Sequence, residues 1–128
     1  MSHDLRVFSA VGAGKLRRVS RLLRPDGRGV FIAMDHPAYL GAGVSASAVA
    51  SVAQASPDAV LATWHLARSK AGLLADCGLI LRVDGGIADM GDPRQSDQSD
   101  LLYRAEEAMA LGADAVVIMV FPGSPDEG

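Results

Sequence analysis

Asp35-His36, Thr63-Trp64-His65, Asp84-Gly85-Gly86 and Pro122-Gly123-Ser124 each follow directly on an apolar run, over residues 30–34, 59–62, 79–83 and 115–121. A partly buried carboxylate at a strand end can be tuned to exchange protons near neutral pH, and the histidine after it can bind substrate or hold that carboxylate. Asp35 and His36 are therefore the candidate catalytic pair. The bland alternatives are an Asp that caps the next loop and a His that fixes the chain ahead of Pro37. Asp84 before Gly85 and Gly86 is a candidate substrate-binding element, since glycines permit close approach of a ligand; an Asx-type turn is the alternative. His65 is a further candidate for substrate contact, with Trp64 read as rim packing. Asp35, His36, His65 and Asp84 together could also face a metal, since His and carboxylates from separate loops can converge on one. No His-x-His or His-Glu-x-x-His spacing supports that, so no metal site is assigned.

These residues need elements to hold them. A continuous apolar run is the signature of a parallel strand covered on both faces. In α/β folds, ligands sit beyond the carboxyl ends of such strands. Between the runs, residues 15–23 read as a helix with Leu16, Val19 and Leu23 on one face, ended by Pro25-Asp26-Gly27. Residues 1–14 read as irregular, 37–44 as a loop, and 45–55 as a small-residue helix capped by Ser45. Residues 65–77 read as a helix weakened by Gly72. Residues 87–100 read as a polar loop, and 104–111 as a short helix closed by Gly112. A weak repeat supports this order: Ser56-Pro57-Asp58-Ala59-Val60-Leu61 and Gly112-Ala113-Asp114-Ala115-Val116-Val117 both run turn, Asp-Ala-Val, strand. The expected fold class is α/β, with about four parallel strands and an extra N-terminal helix in one domain over residues 1–128. Four strands are half of an eight-stranded barrel.

The chain has 128 residues, 49% hydrophobic and 21% charged, which is a globular composition. A net charge of −3 gives no case for nucleic-acid or membrane binding. Cys77 is the only cysteine, so no intrachain disulfide can form, and a cytoplasmic location is expected. It reads as a small buried hydrophobe. Gly12-Ala13-Gly14-Lys15 lacks the first glycine and the Ser/Thr of a phosphate loop. Seven of the 12 Lys and Arg residues fall between Arg6 and Arg28, which reads as a solvated helix face.

Lys15-Leu16-Arg17-Arg18-Val19-Ser20-Arg21-Leu22-Leu23, the Pro-Asp-Gly turn, and Gly29-Val30-Phe31-Ile32-Ala33-Met34-Asp35-His36 resemble the opening of the archaeal-type class I aldolases. That group includes class I fructose-bisphosphate aldolase, an aldolase-like synthase of aromatic amino-acid synthesis, and a thiolase acting on phosphorylated autoinducer-2. Residues 58–61, 81–86 and 106–116 fit the same family in the same order.

The resemblance implies a (β/α)8 TIM barrel of which this sequence matches the N-terminal half. It implies carbon–carbon bond chemistry on a phosphorylated sugar or keto substrate, through a lysine Schiff base and without a metal or organic cofactor. It makes Asp35 the aspartate beside that lysine, assisting proton transfer. The family's lysine, its tyrosine and its phosphate loops belong to later strands, and neither Lys15 nor Lys70 stands at a strand end. The expectation is therefore an inactive half-barrel, partnered by a second copy or by a complementing C-terminal half. Two other readings stay open. One is a non-catalytic assembly module; the other is a metal-dependent lyase or hydrolase using His36, His65 and Asp84.

Overall fold

The computed structural model describes residues 12–40, 43–85, 99–120 and 122. In chain order its elements are α1 (Ala13–Leu22), β1 (Phe31–Met34), α2 (Pro37–Leu40), α3 (Ala46–Gln54), β2 (Ala59–Ala62), α4 (Trp64–Ser69), β3 (Gly78–Arg82), β4 (Asp84–Gly85), β5 (Asp100–Leu101), α5 (Ala105–Ala110) and β6 (Ala115–Val117). Four of the strands form one parallel sheet in the order β1-β2-β3-β6. The α/β class, the parallel sheet and the N-terminal helix agree with the sequence reading, and the arrangement is that of a partial TIM barrel.

Strand side chains alternate between two faces. Met34, Val60, Ala62, Leu81 and Val83 face α3, α4 and α5, where Val49, Leu66, Ala67 and Ala108 complete the main core. Leu81, Val49 and Val60 are its largest fully buried side chains. The other face carries Ala59 and Ile80, packed with Leu22 of α1. Farther along that face Phe31 and Ala33 are exposed.

The weak sequence repeat has a physical basis. Asp58 precedes β2 and accepts a hydrogen bond from Val30 N–H at 2.8 Å; Asp114 precedes β6 and accepts from Leu79 N–H at 3.1 Å. Each carboxylate thus ties its strand to the preceding neighbour in the sheet. Each also holds an arginine of the α1 end: Arg24 Nε donates to Asp58 at 2.8 Å, and Arg21 Nε donates to Asp114 at 2.6 Å. Part of the basic cluster therefore clamps α1 across the amino end of the sheet. Gly78 is needed for that fit, because a Cβ there would lie 2.8 Å from Leu22 Cδ2 and 2.9 Å from the Arg21 carbonyl oxygen.

Arg24, followed by the Val30 N–H, holds the Asp58 carboxyl below the ordinary aspartate range. The folded chain thus releases the proton more readily than the unfolded chain. Its stabilising contribution is present above about pH 4, the ordinary aspartate value, and is lost as pH falls through the lower folded value. Thermal melts should give Asp58→Asn a lower midpoint than the parent chain at neutral pH, with the two converging in acid. A gap independent of pH would rule out the carboxylate charge as its cause.

Several local expectations are corrected. Helix α1 begins at Ala13, inside the stretch read as irregular, and it buries Leu22 while Leu16 stays 38% exposed. Residues 37–40 form the short α2 where a loop was expected. The helix expected over 65–77 ends at Ser69, capped by Thr63 at its start. Gly72 disfavours continuation, and the following turn seats Leu74 in the core instead. Strand β6 stops at Val117, where its pairing with Arg82 ends the ladder with β3. Most of the expected polar loop lies outside the described residues. Its last residue, Asp100, pairs in β5 against β4 in an antiparallel ladder. The Ser45 cap is present, accepting from Ala48 N–H at 3.1 Å, and Gly112 closes α5 at φ +92°. Among the described residues, no helix is long and apolar enough to cross a membrane.

Candidate active site

Asp35, Arg82 and Asp84 are the buried charged residues among those described, at 8%, 6% and 5% exposure. Asp35 follows β1, Arg82 closes β3, and Asp84 opens β4. Alternation puts Asp35 on the face of Ala33, and Arg82 and Asp84 on the face of Ile80, away from α3, α4 and α5. In a barrel this is the interior face, at the carboxyl end of the strands.

Arg82 joins the two carboxylates. Its Nε donates to Asp35 Oδ2 in a close ion pair, and its Nη1 donates to Asp84 Oδ1 at 3.0 Å. Asp84 Oδ2 also accepts from Ser99 Oγ at 2.6 Å and from Met119 N–H at 2.8 Å. Asp84 thereby gathers β3, the approach to β5 and the segment after β6. The planar guanidinium suits this task, because its rigid fork of donors fixes both acids in orientation. The arrangement fixes a carboxylate in a dry setting through charge-assisted hydrogen bonds.

Arg82 is the residue that sequence reasoning missed. It was absorbed into the apolar run 79–83. The available signal was a guanidinium between Leu81 and Val83, which a buried strand cannot leave unpaired.

The remaining candidates separate. The His36 side chain is exposed at the start of α2, next to Asp35 in sequence. His65 is exposed on α4. Trp64 stacks on Tyr103 with ring centroids 4.5 Å apart and planes 17° apart, so one of its faces packs the rim. At Gly85 a Cβ would lie 2.8 Å from Leu102 Cδ1, so that glycine makes room for Leu102. Gly86, Gly123 and Ser124 lie outside the described residues. Among the described residues, no group of three or more His, Cys, Asp or Glu side chains converges as a metal site. The Cys77 thiol is pushed up by burial and donates to the Leu74 carbonyl oxygen, which suits a packing role.

A chamber of about 500 Å³ opens beside the triad, with Arg82 and Asp84 among its lining residues. Trp64, His65, Ser69 and Lys70 form its wall on the α4 side. Lys15 is exposed on the first turn of α1.

Two buried acids thus lie on one face of the parallel sheet, at its carboxyl rim. A family model described as DeoC/LacD family aldolase matches residues 30–127, from the residue before β1 through β6 and beyond. The chain belongs to the DeoC/LacD family of aldolases.

Proposed function

We propose that this chain supplies, as a single domain, the first four strands of a class I aldolase barrel of the archaeal-type group, acting on a phosphorylated sugar or keto substrate through a lysine iminium. The observation that carries this reading is Asp35, buried at the end of β1 and held by Arg82 on the interior face, in a chain of an aldolase family.

The nucleophilic lysine comes from strands beyond β6 that complete the barrel. Its amine attacks the substrate carbonyl to give a carbinolamine, which loses water to give the iminium. The iminium withdraws electrons from the bond that breaks or forms. Asp35 takes up the proton released as the amine adds to the carbonyl and returns it to the departing hydroxyl, which leaves as water, so the carboxylate must lie within reach of the amine. His36, exposed beside it, meets substrate, and Asp84 orders the rim. No metal or organic cofactor enters this scheme.

Two features support completion of the barrel by further strands. Among the described residues, β1 and β6 each have one unpaired edge in the sheet, and open edges invite further pairing. Phe31 at the β1 edge, and Ile118 and Val120 after β6 at the other edge, are exposed at 46%, 55% and 67%, apolar side chains that further strands would cover. The partner is a complementing C-terminal half or a second copy of the chain, in a cytoplasmic enzyme.

Borohydride trapping with dihydroxyacetone phosphate, read by intact mass, tests this. The expected result is no adduct on the 128-residue chain alone and a stoichiometric adduct when a family C-terminal half is supplied. An adduct on Lys15 or Lys70 of the chain alone would overturn the assignment of the lysine. No adduct in either case would overturn the Schiff-base reading.

A further inference from the structure

The two acids of the triad are held differently. Both oxygens of Asp84 are engaged by protein donors: Oδ1 by Arg82 Nη1 at 3.0 Å, and Oδ2 by Ser99 Oγ at 2.6 Å and Met119 N–H at 2.8 Å. Its side chain is 5% exposed. Asp35 is anchored at one oxygen only. Its Oδ2 accepts from Arg82 Nε, its Oδ1 has no hydrogen-bond partner among the described residues, and its side chain keeps 12% exposure. One end of the triad is therefore fastened into the protein, and the other presents an oxygen that a reacting group can reach.

We propose that Asp84 is a positioning residue for Asp35, acting through Arg82, and makes no contact with substrate. This role rests on the aldolase reading for its reaction. An arginine side chain is long and has several rotatable bonds, so the bond from Nε to Asp35 does not by itself fix that carboxylate. The second hold, from Nη1 to Asp84, stops the rigid guanidinium plane from swinging. Asp84 is fixed in turn from two directions, by Ser99 before β5 and by Met119 after β6. Proton exchange requires the Asp35 oxygen to lie within hydrogen-bond reach of the reacting group. A misplacement of about 1 Å, caused by a change away from the chemistry, can cost on the order of 10²-fold in rate. Asp84 thus governs the rate of the step that Asp35 performs.

Asp84→Asn tests this with almost no change of shape. Whichever way the amide turns, its NH2 faces a protein donor, either Arg82 Nη1–H or Met119 N–H, so the hold on Arg82 is lost. The rate of borohydride trapping is followed against dihydroxyacetone phosphate concentration, in the chain completed by a family C-terminal half. The maximal rate should fall about 10- to 100-fold, with the half-saturating concentration within about twofold of the parent. Added to Asp35→Asn, the same change should cost less than about twofold more, because its effect passes through Asp35. A raised half-saturating concentration at an unchanged maximal rate would make Asp84 a substrate contact. Full multiplication of the two losses would mean that it acts apart from Asp35. Either result overturns the proposal. A second measurement uses the 128-residue chain alone. NMR should show the Arg82 Nε–H exchanging with solvent about tenfold faster in Asp84→Asn, although its own partner Asp35 is unaltered. Ser99→Ala, which removes one donor to Asp84 Oδ2, should quicken the exchange too, and it serves where Asp84→Asn fails to fold. An unchanged exchange rate overturns the positioning role, whereas absence of trapping in the parent barrel overturns the aldolase reading alone.

Discussion

Arg82→Met should be the most damaging single substitution in the described part of the chain. It removes the cation between two carboxylates that are almost fully buried. Breaking a buried ion pair by deleting one member costs about 3–5 kcal/mol, because the remaining charge stays desolvated without compensation. Here two acids lose one guanidinium, although Asp84 keeps its hydrogen bonds from Ser99 and Met119. A typical domain has only about 5–15 kcal/mol of net stability, so the loss takes a large share of it. Urea unfolding followed by circular dichroism measures it. The triple variant Asp35→Asn, Asp84→Asn, Arg82→Met should recover much of the deficit, since neutral amides cost less to bury than stranded charges. A loss below about 1 kcal/mol for Arg82→Met would mean that the triad is not desolvated enough to matter.

That triad also marks how far the sequence could be read. Asp35 and Asp84 were legible because each ends an apolar run, where a parallel strand delivers its residues to a rim. The partnership between them was not, because its third member lies inside such a run. Arg82 is one charge among hydrophobes, and counting the segment as apolar hid it. Pairing between 47 positions along the chain, Arg82 with Asp35, has no local signature either. The same holds for β4 with β5, where Gly85 meets Asp100 across a segment that read as a plain polar loop. Local signals did better. Ser45 and Gly112 mark their helix ends through side-chain and backbone chemistry that operates within a few residues. The Asp-Ala-Val repeat was visible as a pattern, yet its purpose required the fold. Only with α1 laid across the sheet do Asp58 and Asp114 become anchors for Arg24 and Arg21.

Asp35→Asn separates chemistry from architecture, and its effect on turnover should be the largest of any conservative change. The amide keeps the size of the carboxylate and an oxygen that can accept from Arg82 Nε, while Arg82 retains Asp84 as counter-ion. The fold should therefore survive, with a stability loss well short of that in Arg82→Met. What disappears is a group able to exchange a proton. General acid–base assistance is worth about 10²–10⁴ in rate, so kcat of the barrel completed by a C-terminal half should fall by that factor. Carbinolamine dehydration also uses the proton, so the borohydride-trapped adduct should form slowly but reach the same final yield. If turnover fell only in proportion to the folded fraction, Asp35 would be a structural partner of Arg82, and the proton would have to be carried by another group on the interior face.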